Sequence, residues 1–97
     1  MTTASSLKPL DDASRSPTVR LVGLVEHILA GNSNPRPISL TMRLADLGVT
    51  SIQMVYLMLA VEAEFNLTIP QTEITPENFL SISSISALVE RLAEARN

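Results

Sequence analysis

The sequence predicts an all-α fold, a small helical bundle of three main helices and one short one. Two observations point there. Apolar residues recur at helical spacing in three separate stretches, and no alternating strand pattern or internal repeat competes with them. The apolar content is also aliphatic, with only three aromatics in 97 residues. A chain of this length makes one domain that buries its stripes helix against helix.

Residues 1–15 are polar, carry Pro9 and show no periodicity, so they read as a disordered tail ahead of a folded domain at 16–97. The first helix opens in "SPTVRLVGLVEHILAG" with Ser16 as N-cap and Pro17 in the first turn, where its missing N–H is harmless. Leu21, Val22, Val25, Ile28 and Leu29 form its stripe, and Gly31 is placed to end it. A long loop follows over residues 31–50, with Pro35, Pro37 and Gly48; Leu40, Leu44 and Leu47 are spaced to pin it to the core.

The second helix is expected from about Ser51 to Phe65. It carries two stripes, Met54, Leu57, Met58, Val61 and Phe65 on one side and Ile52, Val55, Tyr56 and Leu59 on the other. A helix apolar nearly all round is normally buried all round. In so small a domain the first stripe suffices for the core, so part of the second is expected to stay exposed as a contact surface. The competing expectation is that the 31–50 loop covers it. Thr75 and Pro76 then open a short turn or helix through Phe79. The last helix starts from the serine cluster at 81–86, with Ile85, Leu88, Val89 and Leu92 inward and Glu90, Arg91 and Glu94 outward.

Composition narrows the function. There is no cysteine, hence no disulfide, thiol nucleophile or cysteine metal site. The apolar run "MVYLMLAV" meets Glu62 and Glu64 well short of transmembrane length, and the N-terminus lacks the apolar centre of a secretion signal. A cytoplasmic protein without a membrane anchor is expected. Residues 1–45 hold five bases and three acids, whereas residues 46–97 hold two bases and seven acids. An acidic second half repels phosphate backbones, which argues against nucleic acid as a ligand.

Catalytic readings fare poorly. His27 is the single histidine, with no cluster to complete a metal site. A Ser51–His27–Asp46 triad can be written, which would make a small serine hydrolase, but Ser51 lacks the flanking glycines of a nucleophile elbow. Glu62 and Glu64 read as solvent-facing charges. Ser51 itself has two readings. It or Thr50 would serve as the cap of the second helix. Alternatively its hydroxyl is an attachment point, because unpaired N–H groups and the positive end of the helix dipole favour an anionic ester there.

The stretch "LADLGVTSIQMVYLMLAVEAEFNLTIP" resembles the acyl and peptidyl carrier proteins. That family has a D-L-G-x-D-S-L signature, a helix with a Glu and a Phe near its end, and then I-P. Asp46, Leu47, Gly48 and Ser51 match as identities, Ile52 takes the Leu place, and Glu62, Phe65, Ile69 and Pro70 align in step. The similarity extends over about residues 17–95. It implies a four-helix carrier-protein bundle that is not an enzyme. It also implies a 4′-phosphopantetheine arm, attached to Ser51 from coenzyme A by a phosphopantetheinyl transferase, with an acyl or aminoacyl cargo held on the arm's thiol as a thioester.

Two departures from the pattern individualise the chain. Thr50 stands where the family has Asp before the serine, and Tyr56 and Ala63 stand where fatty-acid carriers tend to have acids. The resemblance therefore implies a discrete carrier of secondary metabolism or of the aminoacyl-accepting kind. Its expected partners are the transferase, a loading ligase and downstream synthase or transferase enzymes, met by a monomer through Thr50, Ile52, Val55, Tyr56 and Leu59. The alternative is a carrier-like bundle that is never modified and acts as a docking adaptor.

Overall fold

The computed structural model describes residues 16–32 and 37–96. The expected tail at 1–15 lies outside the described residues. The order is α1 (Pro17–Leu29), a one-turn helix α2 (Leu44–Leu47), α3 (Ser51–Phe65), a 3₁₀ turn (Gln71–Glu73) and α4 (Ile82–Arg96). Among the described residues there is no strand.

Helix α1 packs against both α3 and α4 and is the centre of the bundle. It starts as its sequence requires, with Pro17 in the first turn and the Ser16 hydroxyl accepting from Val19 N. Its end is different from the expectation. Ala30 is the C-cap in right-handed conformation, and Gly31 does not take the left-handed geometry expected of a terminating glycine. The helix stops because the chain turns at Asn32, whose N–H bonds Leu29 O at 2.9 Å.

The core is aliphatic. Leu21 and Val25 of α1, Leu57 and Val61 of α3, and Ile82, Ile85 and Leu88 of α4 are fully buried. Each such side chain contributes about 1.5–3 kcal/mol over exposure. Met54, Met58 and Phe65 pack half-buried at its edge, so the first stripe of α3 is indeed the inward one.

The 31–50 connection is fastened at three places. Leu44 and Leu47 are buried in the core. Leu44 N donates to Leu80 O at 2.8 Å, and Ser83 N donates to Leu40 O at 3.0 Å. Leu40 is thus held by its carbonyl while its side chain stays exposed. Residues 44–47, read from sequence as loop, form a helical turn because the two leucines must point the same way into the core. Further on, Thr75 caps a single turn through Phe79, with Asn78 N on its hydroxyl at 3.2 Å. Arg91 of α4 ties this segment down through Glu73 and Asn78.

Candidate functional site

The entry to α3 is built from the glycine onward. Gly48 sits at φ 104°, a backbone region that favours glycine. Its N–H bonds Ala45 O and the N–H of Val49 bonds Leu44 O, the paired pattern of a Schellman ending for α2. Val49 and Leu44 are both buried, which fixes the chain just before the next helix.

Thr50 is the N-cap of α3. Its hydroxyl accepts from Gln53 N at 3.2 Å, and its own N–H donates to Gln53 Oε1 at 3.0 Å, a reciprocal capping box. The Gln53 amide goes further: Nε2 donates to Asn32 Oδ1 at 2.9 Å and to Ile28 O at 3.3 Å. Asn32 Nδ2 in turn donates to Gly48 O at 2.9 Å. Two neutral side chains therefore join the last turn of α1, the loop after α2 and the first turn of α3.

This arrangement separates the two readings of Ser51. The cap is Thr50, and Ser51 is the first helical residue, exposed, its hydroxyl without a hydrogen bond to any described residue. The N–H groups of Ser51 and Ile52 also lack acceptors among the described residues. A hydroxyl that the fold leaves unused stands beside two free donors at the positive end of a four-turn helix, which suits a phosphate ester.

Along the outer face of α3, Ile52, Val55, Tyr56 and Leu59 are between 45% and 58% exposed. The described residues of the loop do not cover them; its leucines are committed to the core and to the start of α4. The two acids of α3 correct the sequence reading. Glu64 is half-buried and paired with Arg20 of α1, Oε2 to Nε at 2.8 Å. Glu62 Oε2 accepts from Ile69 N at 2.8 Å, holding the chain after the helix. Neither is a free flanking charge. From Ser51 to Leu59 the helix holds no ionisable group except the Tyr56 phenol.

No hydrolytic triad forms. Asp46 pairs with Arg43 at 3.0 Å, and His27 is an exposed α1 residue whose side chain has no hydrogen bond among the described residues. Sequence reading missed Asn32 and Gln53, although the Thr50–Gln53 spacing matches a capping box and could have identified half of that pair.

Residues 19–92 match the family model described as "Phosphopantetheine attachment site". The chain belongs to the phosphopantetheine carrier family. It is 49% identical over 70 residues to "Aminoacyl carrier protein 1" of Bradyrhizobium diazoefficiens, covering 72% of this chain and 78% of the relative. With "Aminoacyl carrier protein 2" of the same organism the identity is 43% over 70 residues, covering 72% and 79%. Among solved structures, a chain from Bradyrhizobium japonicum glycine:[carrier protein] ligase complexed with glycylated carrier protein superposes with a TM-score of 0.71. That match is 38% identical and covers 76% of this carrier and 99% of the other chain. A second, from the ligase with its cognate carrier protein and an analogue of glycyl adenylate, gives a TM-score of 0.70 at 37% identity, covering 84% and 99%.

The carrier is thus a non-catalytic helical protein that holds an acyl or aminoacyl cargo as a thioester on a phosphopantetheine arm. Among the described residues no helix is long and apolar enough to cross a membrane. The arm supplies the thiol, which agrees with a chain that has no cysteine of its own.

Proposed function

We propose that Ser51 is the attachment residue and that this carrier, folded over residues 16–97, accepts a small amino acid, glycine first among candidates, from a dedicated carrier-protein ligase. The observation that carries the reading is the unused Ser51 hydroxyl, freed by Thr50 acting as cap one residue earlier. In the modification the Ser51 Oγ–P bond forms as the pyrophosphate P–O bond of coenzyme A breaks. Adenosine 3′,5′-bisphosphate leaves, and the serine proton passes to a base on the transferase.

Glycine is supported by the likeness to carriers whose structures contain a glycine ligase. Docking is supported by the exposed strip of Ile52, Val55, Tyr56 and Leu59 that begins beside Ser51. The ligase seats on this strip while the arm reaches its active site, and later enzymes take the cargo from the same side. The carrier works as a cytoplasmic monomer, in a compartment that keeps the arm's thiol reduced.

Thr50 does not favour the unmodified-adaptor alternative, because it has a structural task at the cap. Intact mass of the protein after co-expression with a transferase tests the attachment. A mass increase of one phosphopantetheine, lost in Ser51→Ala, is expected; an arm found on another serine overturns the reading. Incubation of the holo form with ATP, glycine and a glycine:carrier ligase should then add one glycyl group.

A further inference from the structure

We infer that Gln53 and Asn32 are positioning residues for the modification of Ser51, an inference that rests on Ser51 being the attachment point. A capping box needs only one acceptor from Gln53, the Oε1 that receives Thr50 N. A glutamate would supply it. The Gln53 amide does more than this, since its Nε2 donates to both Ile28 O and Asn32 Oδ1. A carboxylate cannot make those two bonds. Asn32 completes the link by donating to Gly48 O, and its Nδ2 also lies 3.4 Å from Gln53 Oε1.

The surplus bonds all converge on the segment that delivers Ser51. Gly48 and Thr50 are held from one side by the end of α1, so the Ser51 hydroxyl keeps a fixed place relative to the outer strip of α3. An enzyme docked on that strip reaches a nucleophile whose position the carrier itself has set. Misplacement by about 1 Å can slow a positioned reaction a hundredfold. Because both side chains are neutral amides, the lock holds without regard to pH or ionic strength.

The test uses the full chain with a phosphopantetheinyl transferase and coenzyme A, read by intact mass and by amide hydrogen exchange. Gln53→Glu keeps the acceptor for Thr50 N and removes the two donors. Asn32→Ala leaves the Thr50–Gln53 capping box in place, releases Gly48 O and removes one of the two acceptors of Gln53 Nε2. In both variants helical content should persist, exchange across residues 48–52 should quicken, and the kcat of modification should fall about tenfold with KM within twofold. A kcat equal to wild type in the folded variants, or a change confined to KM, overturns the positioning role; if Gln53→Glu fails to fold, Asn32→Ala decides alone. Ser51→Ala runs beside them: an arm still incorporated there refutes the attachment reading, whatever Gln53 and Asn32 do.

Discussion

Arg20 of α1 and Glu64 of α3 form a cross-helix pair that is mostly shielded from solvent, Nε to Oε2 at 2.8 Å, with the guanidinium 4.3 Å above the Phe65 ring. The same arginine also donates to Glu64 O near the helix end. One side chain thus closes an ion pair, a main-chain bond and an aromatic contact.

Removing either partner strands the other in a partly shielded place. Arg20→Ala should cost about 2 kcal/mol by urea denaturation, combining the lost charged hydrogen bonds and the contact with Phe65. Glu64→Gln should cost less, about 1 kcal/mol, since the site is partly solvated and the main-chain bond survives. Neither should change the modification of Ser51, which lies at the other end of α3.

Cap and attachment separate cleanly between neighbouring residues. Ser51→Ala should leave stability within about 0.5 kcal/mol, because its hydroxyl bonds nothing described, and should abolish modification. Thr50→Ala should instead cost about 0.5–2 kcal/mol while Ser51 stays modifiable. Thr50→Asp preserves the cap, adds a charge favourable to the helix dipole, and should speed modification severalfold with a transferase adapted to an Asp-Ser pair. Denaturation curves and modification rates on the three variants check this.

Tyr56 is the largest side chain on the outer strip and is 58% exposed. Tyr56→Glu should therefore fold within about 0.5 kcal/mol of wild type, yet loading by the cognate ligase should fall about tenfold or more. Since the strip is uncharged, the wild-type KM for loading should also change less than about twofold between low and physiological salt, where a charge-steered pair would weaken clearly.

Gly48 is a backbone requirement and not a packing one. A Cβ there would meet Asn32 Nδ2 at 3.5 Å and Leu29 Cδ2 at 3.8 Å, ordinary contact distances, but at φ 104°. Gly48→Ala should cost about 1–2 kcal/mol from conformation alone, visible as a lowered urea midpoint with an unchanged slope.

Much of the bundle was legible because periodicity reports burial directly. The stripe of α1, the inward stripe of α3 and the apolar positions of α4 all face the core as read. The exposure of Ile52, Val55, Tyr56 and Leu59 followed from volume, since a second buried stripe had nothing left to pack against. What escaped depends on partners distant in sequence. Glu64 looked like a solvent charge because Arg20 lies 44 residues away, and α2 looked like loop because four residues are too few to show a period. The cross-link made by Gln53 escaped for a third reason: beyond its capping-box spacing from Thr50, a neutral amide gives no charge or hydropathy signal, and its bonds to Asn32 and Ile28 show only in the fold.

The bond from Leu44 N to Leu80 O and that from Ser83 N to Leu40 O tie the middle of the chain to the threshold of its last helix. During synthesis, residues 40–44 emerge about forty residues before the carbonyl and amide that fasten them, and α1 waits longer still for α4. The seat of α2 on the start of α4 is therefore secured late, whereas the amide link at the Ser51 turn joins residues that emerge together. A chain truncated before residue 80 keeps the partners of Gln53 but lacks the two bonds that fasten Leu40 and Leu44.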